Sequence, residues 1–548
     1  MPDADDHADD VVDDHADDPL RWWREGVLYQ IYPRSWADSD GDGIGDLRGI
    51  IDHLDHLAWL GVDGIWLSPV TPSPEADFGY DVADYRGVDP RYGTLADLDE
   101  LIAAAHARGI RVLLDLVPNH TSSEHPWFAE SRRSRDDPRR DWYVWADPSP
   151  DGSEPNNWVS SFLGPAWTLD PATGQYYLHN FLPEQPDLNW WNDAVRDEFD
   201  AILAFWFDRG VDGFRIDVCH MIVKDRELRD NPPTTEADHW IDQLRGQLQT
   251  WNSCRPEVHD VLRRWHRVAA SYDPPRVFVG ETHVRDLDVM ASFYGDGDEL
   301  DGAFNFSLLP APFEAAALRE VVEGTEAALP TDAWPVWTAG NHDESRYPTR
   351  WAQGDPGLTR CALMMTLTLR GTAFLYYGDE LGLPDTELTR DQVLDPVGVK
   401  FFPVAGRDPC RTPMPWTAEP GGGFTAPGVE PWLPFGDLAA CNVADQRHDP
   451  DSVLSLCRDL ISLRAAVPDL REGSYATWPG APEEVFAYRR GGRVLVALNL
   501  GAGPATVEGV GGVVRVATDR GRDGERVDGR LELPGGQGAV IWLDAPAS

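Results

Sequence analysis

Lysine is almost absent from this 548-residue chain. Lys224 and Lys400 are the only two, and the 47 basic residues face 93 acidic ones for a formal net charge of −46. A surface so short of positive charge argues against nucleic acid or anionic membrane as partners, and suits a small neutral ligand. Cysteine is scarce as well. The six (Cys219, Cys254, Cys361, Cys410, Cys441, Cys457) lie far apart with no C-x-x-C pair, which argues against zinc or redox work and for reduced thiols. No apolar run is long enough to span a bilayer, and no basic stretch followed by an apolar one opens the chain, so a cytoplasmic location is expected.

With 42% hydrophobic and 26% charged residues the chain is globular, and its length calls for two or three domains. Residues 1–18 are expected to be a disordered acidic tail. They repeat Asp-Asp-His-Ala-Asp-Asp and offer almost nothing to bury, yet their nine aspartates make up less than a fifth of the net charge.

From there, strand-like and helical patterns alternate, and four apolar runs end in polar chemistry: Val112 to His120, Gly213-Phe214-Arg215-Ile216-Asp217, Val277 to Glu281, and Val336 to Asp343. Side chains two apart on a strand share a face, so Arg215 is set beside Asp217 and would keep its carboxylate ionised. A merely structural ion pair is the competing reading. Catalytic groups at several strand ends are how a (β/α)8 barrel builds an active site.

These four segments, in this order and spacing, resemble the signature regions of the α-amylase superfamily of glycoside hydrolases (family 13). The likeness is to its α-glucosidase and oligo-1,6-glucosidase branch, and runs from about Trp22 to the C-terminus. The resemblance implies a (β/α)8 TIM barrel in two parts (19–120 and 190–470) with an inserted domain B (121–189). A C-terminal antiparallel β-sandwich (471–548) follows, where alternating apolar runs appear between glycines.

After the first strand, Asp38, Asp40, Asp42 and Asp46 with Gly43 and the Ile44 carbonyl reproduce the first nine places of an EF-hand loop, but Gly49 stands where the twelfth, a glutamate, belongs. Four carboxylates in nine residues repel one another without a cation. The resemblance agrees, since relatives hold a structural Ca2+ through residues matching Asp38, Asp40, Asp42, Ile44 and Asp46; no organic cofactor is implied.

The resemblance further assigns Asp217 as nucleophile, Glu281 as acid/base and Asp343 as the third carboxylate. Glu281, ending an apolar strand with no base adjacent in sequence, is expected to keep a proton through desolvation. Asp77 and Tyr80 of Asp77-Phe78-Gly79-Tyr80-Asp81 match groups that hold the terminal sugar, as do His120, His342, Arg215 and Gln185. Phe162 and Phe181 fall at pocket-lining positions, with packing inside domain B as the alternative. Arg411 lies in Arg411-Thr412-Pro413-Met414-Pro415-Trp416, where proline replaces the family's glutamine, and is expected to pair with Asp77 and close the far end of the site.

Two carboxylates and water suffice for a retaining hydrolysis. The expected activity is therefore an exo-acting α-glucosidase on maltose and short α-gluco-oligosaccharides, as a monomer or homodimer. Sucrose and non-sugar acceptors remain within its range. Val218, followed by Cys219, His220 and Met221, governs linkage: valine alone accompanies α-1,6 preference, but the longer run resembles α-1,4-acting enzymes, so α-1,4 is expected with some transglucosylation from an apolar Val-Cys-Met wall. A trehalose-synthase-like or sucrose-isomerase-like enzyme and an oligo-1,6-glucosidase are the alternatives. A catalytically silent, transporter-associated relative is disfavoured by the intact Asp217, Glu281 and Asp343.

Overall fold

The barrel strands are buried on both faces, as the near-continuous apolar runs of a parallel sheet require. The computed structural model describes residues 20–544, so the acidic tail at 1–18 lies outside the described residues. In chain order the strands are β1 (Val27–Ile31), β2 (Gly64–Leu67), β3 (Arg111–Leu116), β4 (Trp145–Ala146), β5 (Trp167–Asp170), β6 (Gln175–Leu178), β7 (Gly213–Ile216), β8 (Val277–Gly280), β9 (Gly302–Ala303), β10 (Val336–Thr338) and β11 (Thr372–Tyr376). Eight of these pair in the order β10-β11-β1-β2-β3-β7-β8-β9. A parallel bridge between Phe304 and Val336 brings β9 to β10 and closes the barrel.

Period-two alternation sorts the side chains. Leu28, Trp66, Leu113, Val277, Val279, Phe304, Val336 and Phe374 fill the interior. Their neighbours Tyr29, Ile65, Val112, Leu114, Phe214, Ile216, Phe278 and Leu375 point outward into the main core shared with the helices. The same alternation turns Gln30, Asp115 and Arg215 inward one layer above the apolar plug. Asp115 and Arg215 are direct partners in the β3–β7 register.

The helix pattern from Leu47 to Leu60 is two helices, Leu47–Asp52 and Leu54–Leu60. His53 breaks it, with its ring 2.8 Å from the Gly49 carbonyl and packed on Trp416 at 4.0 Å between centroids.

Between β3 and β7 the chain leaves the barrel to form a small antiparallel sheet in the order β4-β6-β5. The base of this excursion is pinned by one of the two lysines. Buried Lys224 Nζ lies 2.8 Å from Asp187 and donates to Asn119 at 2.6 Å.

At the C-terminal end β12 (Tyr475–Thr477), β13 (Val485–Arg490), β14 (Val494–Asn499), β15 (Ala505–Ala517), β16 (Arg526–Leu533) and β17 (Gln537–Leu543) are antiparallel, as expected. Their hydrogen-bond order is β12-β13-β14-β17-β15-β16, the expected antiparallel C-terminal β domain. Alternation gives it two sides: Phe486, Tyr488, Val496 and Val540 face the barrel core, while Val485, Ala487, Leu495, Ile541, Val507 and Leu531 form a second core that joins β13 to β16. The long β15 carries irregularities at Glu508/Val510 and Val514/Val516, which bend it.

All six cysteines are free thiols. Among the described residues, no helix is long and apolar enough to cross a membrane. Replacing Lys224 with methionine would leave the Asp187 charge buried and uncompensated. Lys224→Met is expected to cost about 3 kcal/mol, read as a lower denaturation midpoint, with limited proteolysis opening the 121–189 segment first.

Candidate active site

The polar upper layer of the barrel is organised by one guanidinium. Arg215, 1% exposed, places Nη1 2.8 Å from Asp115 Oδ1 and 2.8 Å from Asp217 Oδ1, and Nη2 2.7 Å from Glu281 Oε2. Its flat cation lies 4.9 Å from the ring of Trp66, whose indole N–H donates to Asp115, as does the Tyr80 hydroxyl at 2.9 Å. Three carboxylates therefore converge on one permanent charge. Asp115 was not anticipated from the sequence, although a lone carboxylate in the strand Val112-Leu113-Leu114-Asp115-Leu116 was a visible signal.

The chain turns sharply after Asp217. Val218, a β-branched residue, adopts φ +34° and ψ 45°, a conformation that is sterically costly and persists where surroundings impose it. The turn aims the Val218 N–H at Glu281 Oε2, 2.9 Å away, and the Cys219 N–H at the Glu281 carbonyl, 3.1 Å away. Cys219 then packs into the core with its thiol on the same carbonyl, so it does not line the wall expected of Val-Cys-Met. Val218 and Met221 are left for that role.

Glu281 corrects the expectation drawn from its strand. It has basic neighbours after all: Arg215 on Oε2, and His283, not foreseen, with Nε2 2.9 Å from Oε1. Burial opposes its charged form, but Arg215 and His283 prevail and hold the Glu281 carboxyl well below the usual range. Asp217 moves the other way. Burial pushes its carboxyl well above the usual range, against Arg215, with Glu281 and Asp115 adding to the rise. In the sequence the nearest base to Asp217 is Arg215; in space that base is shared, and Glu281 holds the additional cation.

The closed end of the site is built by an arginine other than the one expected. Asp77 pairs with Arg407, at 2.6 Å, and not with Arg411. Arg407 also reaches Asp395 at 2.6 Å and Asp343 at 3.3 Å, whereas Arg411 binds Asp343 at 2.8 Å and the His342 carbonyl at 2.6 Å. Pairing followed loop geometry: Arg407 and Asp395 belong to one turn, where the Asp395 carboxylate also caps the helix Pro396–Phe401. Burial works against the charge on Asp343, but His342, Arg407 and Arg411 hold its carboxyl well below the usual range.

The remaining anticipated residues meet around this space. Tyr80 stacks on His342 with planes 1° apart and centroids 5.2 Å apart. His342 Nδ1 is 2.8 Å from the Gln30 amide, and its Nε2 3.3 Å from Asp343. Gln185 donates to Asp77 at 3.1 Å and lies 3.1 Å from His120 Nε2. Phe181 packs 5.2 Å from the His120 ring and 5.5 Å from Phe162, over which the Arg407 guanidinium sits at 5.4 Å. Both phenylalanines thus belong to the wall that the 121–189 excursion raises beside the barrel, not to its own core. Burial lowers His120 to about 4 and His342 to about 3, so both rings are neutral at pH 7 and can exchange hydrogen bonds with hydroxyl groups.

In the acidic loop, ligand atoms of Asp38, Asp40 and Asp42 come within 4.8 Å of one another. The Asp46 carboxylate accepts from the Ser39 N–H at 2.8 Å and caps the helix Leu47–Asp52 through the Gly49 N–H at 2.6 Å. Ile44 belongs to the same turn, its N–H donating to Asp42 at 2.8 Å. A Cβ at Gly49 would lie 2.0 Å from the Ala37 carbonyl oxygen, which accounts for the missing twelfth-place glutamate.

Paired carboxylates at the C-terminal rim of a (β/α)8 barrel, with further carboxylates, arginines and aromatic rings converging beside them, are the arrangement of a glycoside hydrolase. Residues 30–473 match the family model described as the alpha amylase catalytic domain. The chain is 44% identical over 466 residues to a probable alpha-glucosidase of Rhizobium meliloti (strain 1021), covering 82% of this chain and 84% of that one. It is 38% identical to the oligo-1,6-glucosidase of Heyndrickxia coagulans, over 87% and 92% of the two chains. The crystal structure of the alpha-glucosyl transfer enzyme XgtA superposes with a TM-score of 0.88 at 43% identity, covering 95% of this chain and 99% of that one. A trehalulose synthase variant bound to its substrate sucrose superposes at 0.86 with 34% identity, over 95% and 99%. The chain belongs to the α-amylase family of glycoside hydrolases. Within it, this enzyme is a glucosidase or glucosyltransferase.

Arg407→Met would leave Asp77, Asp395 and Asp343 facing one another without their shared cation. The kcat/KM for a disaccharide is expected to fall by about 100-fold or more, measured beside a melting curve that shows the barrel still folded.

Proposed function

We propose that the protein is a retaining, exo-acting α-glucosidase that releases terminal glucose from short α-glucosides and passes some of it to acceptors other than water. The observation that carries this reading is the joint seating of Asp217 and Glu281 on the two Nη nitrogens of Arg215. One guanidinium holds the carboxylates as close neighbours, as a retaining pair about 5 to 5.5 Å apart must be. Asp217 attacks the anomeric carbon, Glu281 gives its proton to the departing oxygen, and the same residue then takes a proton from water or an acceptor hydroxyl. The ligand-free charges are a resting state: the productive one needs Asp217 ionised and the proton on Glu281. Asp343, kept ionised by Arg407 and Arg411, suits the ring hydroxyls and the positive charge that grows in the transition state. Asp77, Tyr80, His120 and His342 hold the same sugar from the sides.

The Asp77–Arg407–Asp395 cluster supports a blocked far end that admits one terminal residue. Short α-glucosides are then far better substrates than starch, and equal specific activity on maltose and soluble starch would overturn the exo reading. The run Val218-Cys219-His220-Met221 just after the nucleophile, which resembles that of α-1,4-acting enzymes, supports α-1,4 over α-1,6 preference and some transfer; a tenfold preference for isomaltose, about 1.4 kcal/mol in the transition state, would reverse it. The sucrose-bound trehalulose synthase favours one second reading, sucrose isomerisation, and chromatography of products from maltose, isomaltose, sucrose and trehalose separates the two.

Asp217→Asn is expected to lower turnover by about 1,000-fold or more with the fold intact, and azide to restore part of it by attacking in place of the lost carboxylate. Near-normal turnover would remove Asp217 from the nucleophile's role.

The acidic loop fits a structural Ca2+. Asp38, Asp40 and Asp42 converge, and carboxylate and carbonyl oxygens are calcium's ligands. Those three carboxylates with the Ile44 carbonyl and Asp46 would hold it, and Asp46 also caps the following helix. Chelator is expected to lower the melting temperature more than the initial rate at low temperature; an unchanged melting curve with no calcium by elemental analysis would remove the ion.

A further inference from the structure

Resting on the reading of Glu281 as the acid/base, we propose that His283 is the proton relay that connects this buried carboxyl to solvent. Glu281 is 3% exposed and enclosed: Arg215 and the Val218 N–H cover Oε2, and among the described residues the other group on its carboxylate is His283 Nε2, on Oε1. His283 is the outer member of the pair, its side chain 46% exposed. One imidazole therefore touches the catalytic carboxyl with one nitrogen and leaves the other for water.

The position is well fixed. The ring packs against Phe306 at 4.5 Å and His220 at 6.3 Å between centroids. His220 is buried and lowered to about 4, so it stays neutral and contributes no competing charge. Besides Glu281, the acidic groups facing His283 are Asp343 and Glu344 from the segment after β10, and all three favour the imidazolium. Arg245 acts on His220 and lowers it further. Two residues on, Arg285 is held by Asp242 at 2.8 Å, which anchors the segment without engaging His283.

The proton balance is simple. Before bond cleavage, His283 Nε2–H passes its proton to Glu281 Oε1, and Nδ1 is the nitrogen that exchanges with water. Glu281 gives the proton to the glycosidic oxygen as the C1–O bond breaks and Asp217 bonds to C1. When water or an acceptor hydroxyl attacks C1, Glu281 takes its proton and returns it through His283 to solvent. No oxidant or further reactant enters. His283 is a positioning and relay residue, since it acts through Glu281.

The consequence is a pH signature. With the imidazolium present, the pair holds one transferable proton; above the histidine's raised pKa, a neutral ring and an ionised Glu281 hold none, and activity falls. The alkaline limb then belongs to the pair. His283→Gln keeps a donor toward Glu281 but cannot titrate.

The test compares pH profiles of kcat/KM for wild type, His283→Gln and Glu281→Ala, each on an alkyl α-glucoside, whose departure needs a proton, and on 2,4-dinitrophenyl α-glucoside, whose departure does not. The expected result is an alkaline limb shifted down by about one pH unit or more in His283→Gln on the alkyl substrate and unmoved on the dinitrophenyl one. An unmoved limb on both overturns the relay, while Glu281→Ala that spares only the dinitrophenyl substrate leaves the acid/base reading standing. Equal losses for Glu281→Ala on both substrates would overturn that reading and the relay with it.

Discussion

Everything in this active site depends on a cation that never leaves and never titrates. Arg215 stands on the inward face of β7 and is shared by Asp115, Asp217 and Glu281. Burying three carboxylates together would be prohibitive in a low-dielectric interior, and even with the guanidinium present the group carries more negative than positive charge. Protons within it must therefore be distributed by geometry. Small differences in contact set which carboxyl is charged, and Glu281, with His283 as well as Arg215, is the one held ionised in the free enzyme.

The opposite wall repeats the arrangement with the roles redistributed. Arg407 serves Asp77, Asp395 and Asp343 together, and Arg411 adds a second cation to Asp343. This explains why Asp343 stays ionised in a crowded acidic cluster. The two clusters are joined by neutral aromatic rings, Tyr80 stacked on His342 above the indole of Trp66. The space between them is thus lined by uncharged rings and flanked by two clusters that each hold excess negative charge, an arrangement that would favour a ring becoming cationic as it reacts. The chain's acidic surface follows the same sign without contributing a contact.

Only a scaffold with eight strand ends could assemble this. Asp115, Asp217, Glu281 and Asp343 come from four strands or the turns just after them, and the wall carrying Phe162 and Phe181 from an excursion after the third. Lys224 ties the base of that excursion to the barrel. Backbone strain is present in the turn at Val218, whose left-handed backbone turns two N–H groups onto Glu281. That turn is the price of a fixed relation between the two reacting carboxyls.

The barrel, the inserted segment and the antiparallel C-terminal strands were legible in the chain because each rests on local periodicity: period two in the strands, apolar-first and polar-last runs at their ends, and a change of composition beyond 470. The Arg215–Asp217 pair was legible for the same reason, since two residues on one strand share a face. The sequence could not say that Arg407 and not Arg411 would take Asp77, or that Glu281 would gain two cations. Those are choices among partners equally near or equally far along the chain, and they are decided by which loops the closed barrel brings together. Chain connectivity determined which groups exist at each strand end; only tertiary packing decided which of them share a charge, because Coulomb energy and desolvation depend on distances the sequence does not contain.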